Sequence, residues 1–162
     1  MIIHYMQDRD SALPLSPIPR KNWEIDAYPV NEIAEYVQDV SQGDIDVLVE
    51  EYYNKYDMIL DGRDPEEFKK HVAVQAGIEI GFERFLEEKK YQAIVTHFGD
   101  LSSLEQLPGL AIQRLMEKGY GFGGEGDWKT AAMGIEAVYI DGDTTIRNLQ
   151  NELRWNSMYF SK

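Results

Sequence analysis

The 162-residue sequence contains no cysteine, which excludes disulfides, thiol nucleophiles and thiolate zinc sites. Histidine is nearly as scarce. His4, His71 and His97 are scattered and form no H-x₃-H or E-x-x-H pair, so no helix-borne metal motif is present. His4 reads as a surface or strand residue and His71 as a solvent-side helix residue. Basic residues are few, 16 Lys and Arg against 29 Asp and Glu, for a net charge of −13. Such a surface repels phosphate backbones and anionic headgroups, so no nucleic-acid partner and no membrane partner is expected. No apolar run approaches the ~18 residues of a membrane span. The opening MIIHYMQDRD lacks a basic stretch followed by an apolar one, so no secretory signal is read there and a cytoplasmic location is expected.

What is present suits one folded domain: 43% of the residues are hydrophobic, enough for a single core. The most informative stretch runs from Gln106 to Met133. Pro108 sits where a helix can begin, because its missing N–H would have no helical partner there. Leu110, Ala111, Arg114, Leu115 and Lys118 follow at helical spacing, and Gly119 is a natural stop. Four glycines then fall within six residues, Gly121, Gly123, Gly124 and Gly126, with Glu125 among them. Asp127 is placed to cap a helix over Trp128 to Met133. A carboxylate on such a turn is either a ligand holder or a polar loop tip. Gly121, Gly123 and Gly126 also match G-x-G-x-x-G, with Asp141 about 20 residues on. A dinucleotide site needs that motif to follow a strand, however, and a helix ending at Gly119 leaves only about three residues for one.

Elsewhere the chain alternates strand and helix signals. Ile2 to Met6 reads as a short strand, and Pro14, Pro17 and Pro19 turn Ser11 to Arg20 into an extended loop. Trp23 to Tyr28 alternates like a strand. Asn31 is placed to cap a helix carrying Ile33, Ala34, Tyr36, Val37 and Val40. A second helix begins after Ser41, with Ile45, Leu48, Val49, Tyr52, Tyr53 and Tyr56 inward. The tyrosines read as packing residues, since an acidic chain is no base-stacking platform. Asp64 and Pro65 open a long helix to about Lys89, with Phe68, Ile78, Phe82, Phe85 and Leu86 as its apolar stripe. Gln75 lies in the stripe and Glu79 at its edge, read as polar groups satisfied by backbone neighbours. Tyr91 to His97 is a buried strand, and Ala137 to Ile140 another. This alternation predicts an α/β fold: a four- to five-stranded, mainly parallel, Rossmann- or flavodoxin-like three-layer sheet with helices on both faces.

These residues carry a resemblance. QLPGLAIQRLM followed by GYGFGGEGDWKTAA is similar to the signature of the bacterial L-arabinose isomerases. From Trp23 to Met133, including THFGDL ahead of QLPGL, the chain resembles that family's central domain. Residues 134–162, with LRWNSMYF, resemble its extreme C-terminus, whereas residues 1–22, strand plus proline-rich loop, do not resemble it clearly. A single α/β domain over 1–162 follows. The resemblance implies metal-dependent aldose–ketose isomerisation of L-arabinose to L-ribulose, with Mn²⁺ polarising the sugar oxygens while a hydride, or a proton through an enediol, moves between C1 and C2. It implies Glu125 as a catalytic residue and manganese ligand, and Phe98 as an aromatic lining the sugar pocket. His97 inherits no role. The family's second glutamate and two histidines have no counterparts at matching positions, so the metal site in this chain is incomplete. The resemblance thus reads as an internally deleted or engineered isomerase, its central domain joined to the family's last segment: either an enzyme, in whole or as a piece working with partners such as further copies of itself, or a folded module or truncated fragment without activity.

Overall fold

The computed structural model describes residues 25–96, 104–124, 126–132 and 134. Among these the order is α1 (Val30–Gln38), α2 (Gln42–Lys55), α3 (Pro65–Lys89), β1 (Ala93–Thr96), α4 (Gly109–Glu117) and β2 (Gly121–Gly124). The fold is mixed α/β, mostly helical, with β1 and β2 hydrogen-bonded in parallel. Of the sheet strands expected from the sequence, Ile2 to Met6 and Ala137 to Ile140 lie outside the described residues.

Local signals set most boundaries. Asp64 accepts from the Glu67 N–H at 2.9 Å and Pro65 opens α3, which closes at Lys90 in the left-handed region (φ 61°). Ser41 caps α2 through the Asp44 N–H at 3.2 Å. Gly119, at φ 104°, ends the α4 segment as expected. Two expectations are corrected. Residues 25–28 form no strand; among the described residues no strand pairs with them, Ile25 is 39% exposed, and Tyr28 instead turns edge-on to Phe85. Helix α1 starts at Val30 behind Pro29, so Asn31 is already inside it and is not its cap.

Helix α3 is the centre of the packing. Ile78, Phe82, Phe85 and Leu86 are buried against Ile33 and Ala34 of α1, Ile112 and Leu115 of α4, and Ile94 and Phe122 of the strands. Gly81 brings α1 in closely: a Cβ there would lie 2.7 Å from Val37 backbone atoms. Val49 and Tyr52 of α2 pack with Val72 and Ala76 in a second cluster. Tyr53, expected inward, is 40% exposed, because α2 presents Val49 and Tyr52 to α3 instead. On the other side of the strands, Ala93 and Val95 meet Ala131 and Ala132 of the helical residues 128–132, with Trp128 against them. The alternation of the two strands thus gives each face its own helical cover. No helix among the described residues is long and apolar enough to cross a membrane.

Candidate functional site

The parallel register pairs Ala93 with Gly121 and Thr96 with Gly124, so both strands finish at the same edge. In open α/β sheets that carboxyl edge is where ligands bind. The chain turns there under close constraint. The Gly126 N–H donates to the Thr96 carbonyl at 3.3 Å, and the Asp127 N–H to the Gly124 carbonyl at 3.0 Å. Gly126 has φ 82°, where a Cβ is disfavoured. Asp127 then caps the helical residues after it, accepting from the Thr130 N–H at 3.1 Å and from its hydroxyl at 2.5 Å. At Gly123 a Cβ would fall 1.9 Å from the Asp127 carbonyl oxygen. Only glycine lets the returning turn lie so near the strand.

The glycine run is therefore a strand and not the turn its composition suggested. Gly121 opens β2 and Gly123 lies inside it, so these glycines do not form a phosphate loop after a strand, and Gly126 alone of the motif sits in the turn. Asp141 lies outside the described residues.

Glu125 and Phe98 also lie outside the described residues. Their chain neighbours bracket the edge: Gly124 and Gly126 both engage Thr96, and Phe98 follows Thr96 by two residues. Thr96 itself was missed in the sequence. Its hydroxyl is buried at the end of β1, with no hydrogen-bond partner among the described residues. The available signal was a hydroxyl closing an otherwise apolar strand. Among the described residues no three His, Asp or Glu side chains are grouped to hold a metal ion, so these residues do not by themselves make a Mn²⁺ site.

The acid that the structure does bury is Glu79, fully enclosed between α2, α3 and α4. Its partners are side chains, not the backbone as expected. Tyr52 donates to it at 2.5 Å, Arg114 Nε lies 3.3 Å from Oε2, and Lys118 Nζ lies 2.9 Å from Oε1. Arg114 also reaches Glu51 at 2.5 Å. Burial raises the Tyr52 phenol above its ordinary range, and the Glu79 charge raises it further. Burial works against the charge of Arg114, but its bonds to Tyr56 and Glu51 and the Glu79 carboxylate outweigh it and hold Arg114 more firmly protonated. Glu79 and Arg114 are buried and paired with each other, and the cluster reaches solvent through Lys118 and Glu51, so it is architectural. The sequence hint was an arginine inside the apolar run AIQRLM, but its partner is 35 residues away.

Gln75 does meet backbone groups, as expected: it accepts from Leu110 and Ala111 and donates to Leu107, all at the start of α4. His71 is exposed and contacts Gln106 at 2.8 Å.

Residues 19–141 match the profile of the L-arabinose isomerase central domain. An L-arabinose isomerase of Geobacillus kaustophilus is 43% identical over 124 residues, covering 76% of this chain and 25% of that protein. One from Serratia proteamaculans is 45% identical over 121 residues, 74% of this chain and 24% of its own. L-arabinose isomerase 1 of Clostridium acetobutylicum is 47% identical over 111 residues, 68% and 23% respectively. The chain thus spans about a quarter of the length of the curated relatives it matches.

Proposed function

Because the chain belongs to the L-arabinose isomerase central-domain family, we propose that it works in the conversion of L-arabinose to L-ribulose, supplying part of the sugar and metal site. Glu125 is the carboxylate it contributes to Mn²⁺ and to proton transfer, and Phe98 is the aromatic wall of the sugar pocket. The observation that carries this reading is the parallel strand pair. It places the residues on either side of Glu125, and the strand that leads to Phe98, at one carboxyl edge within the matched segment. The buried Thr96 hydroxyl, which has no hydrogen-bond partner among the described residues, gives that edge a polar group suited to a hydroxyl-rich ligand.

The family's second glutamate and two histidines have no counterparts at matching positions, and the described residues group no further metal-holding side chains, so Mn²⁺ held by this chain alone is weakly bound, water filling the remaining positions. The two strands belong to a larger, mainly parallel sheet in a Rossmann-like three-layer arrangement. The protein is cytoplasmic and assembles with further copies of itself.

The test is calorimetric titration of the chain with Mn²⁺, alongside an assay for L-ribulose. Binding no tighter than roughly millimolar is expected, removed by Glu125→Gln with folding unchanged. Binding that is indifferent to that substitution would overturn the assignment of Glu125. Micromolar binding with turnover would show a complete metal site in this chain.

A further inference from the structure

The first N–H groups of a helix have no partner within it. In α4 the N–H groups of Leu110 and Ala111 are not capped from their own segment. Both donate to Gln75 Oε1 on α3, at 3.1 and 3.3 Å. The other end of the same amide donates from Nε2 to the Leu107 carbonyl at 2.8 Å and to Gln106 Oε1 at 2.9 Å. Gln106 Nε2 then stands 2.8 Å from His71 Nδ1.

The direction of this chain is fixed by groups that have no choice. A backbone N–H can only donate and a backbone carbonyl can only accept. Turning the Gln75 amide over would set donor against donor at Leu110 and Ala111 and acceptor against acceptor at Leu107. With Gln75 fixed, Gln106 must offer its oxygen to Gln75 and its nitrogen to His71. The imidazole must then accept at Nδ1. Amide and imidazole orientations are usually ambiguous from heavy atoms; here the backbone of α4 decides all three.

We propose that Gln75 is a positioning residue, a cap lent by α3 to α4, and that Gln106 and His71 complete a directional relay in which His71 accepts at Nδ1 and carries its ring proton on Nε2. What the relay positions is the entrance to α4, the end of the connection from β1 that contains Phe98. The consequence for the sugar pocket rests on reading Phe98 as its aromatic wall; the relay does not, and the following test reads the relay alone.

Nitrogen NMR of the histidines at pH about 8, above the ordinary imidazole pKa of about 6.5, reads which ring nitrogen carries a proton. In the full chain His71 Nδ1 is expected bare. Since Nε2–H is also the tautomer favoured in water, the decisive variant is Gln106→Glu. One carboxylate oxygen keeps the bond from Gln75 and leaves the cap intact, while the other faces Nδ1. A proton is then expected on Nδ1. In Gln75→Leu, amide exchange at Leu110 and Ala111 should speed up about tenfold or more relative to the interior of α3. An Nδ1 that stays bare in Gln106→Glu, or exchange unmoved in Gln75→Leu, overturns the relay. Should Gln75→Leu fail to fold, Gln106→Glu still decides.

Discussion

One substitution made at two places on α3 tests the packing argument directly. Gly77 and Gly81 both lie in the helix interior, four residues apart and buried. Alanine in a helix interior is favoured over glycine by up to about 1 kcal/mol, because glycine has more backbone freedom to lose. At Gly77 a Cβ would meet only the Ile45 side chain, at 3.5 Å, an ordinary contact. Gly77→Ala should therefore stabilise by roughly 0.5–1 kcal/mol. At Gly81 the same Cβ would lie 2.7 Å from Val37 Cα, N and Cγ2. Non-bonded carbons rest at about 3.5–4.0 Å, so α1 must move outward by about 1 Å. That movement loosens Ile33 and Ala34 from Phe82 and Phe85. Overpacking of this kind costs about 1–3 kcal/mol; less the propensity gain, Gly81→Ala should destabilise by about 1–2 kcal/mol. At this chain length 1 kcal/mol shifts Tm by about 2–4 °C. Thermal melts should place Gly77→Ala a few degrees above the parent and Gly81→Ala several degrees below it. Urea midpoints with unchanged m-values would confirm that the native state alone is affected. Shifts of the same sign and size at both positions would refute the reasoning, since propensity alone cannot tell the two glycines apart.

Arg114→Met leaves buried Glu79 with Tyr52 and Lys118 only, and should cost about 3 kcal/mol in urea unfolding. Adding Glu79→Leu should recover part of that loss in a double-mutant cycle; full additivity would deny the coupling. Gly123→Ala should drive the turn off the Asp127 carbonyl, lose the bonds from Gly126 to Thr96 and from Asp127 to Gly124, and cost about 2 kcal/mol in the same assay, at about 1 kcal/mol per bond. The phenols of Tyr52 and Tyr91 are raised chiefly by burial, so the unfolded chain loses those protons first. Their stabilisation is whole below the ordinary tyrosine pKa of about 10 and falls as pH rises beyond it. Tyrosinate absorbance should therefore rise together with unfolding in alkaline titration, and Tyr52→Phe should flatten the dependence.

The sequence by itself determined what depends on near neighbours. Asp64 with Pro65 fixed the start of α3, Gly119 the end of the α4 segment and Asp127 the cap of the turn after β2, because each acts within three or four residues. The apolar run before His97 announced β1, since a strand buried on both faces carries its signal in its own composition. The signature around Glu125 pointed to the family, which the match over residues 19–141 bears out. Tertiary structure decided the rest. Four glycines in six residues look like a turn until β1 lies alongside and the backbone of the first three forms a ladder with it, so β2 exists by pairing and not by propensity. Ile25 to Tyr28 has a strand's alternation but, among the described residues, no strand to pair with, and it is irregular there. Glu79 looked like a helix-edge acid because Arg114 and Lys118, which make its burial tolerable, approach only when α4 packs on α3. Gln75 shows the same limit. Its polarity was legible on α3, but the N–H groups it caps belong to another helix, and no sequence spacing reveals a hydrogen bond whose two ends meet only through packing.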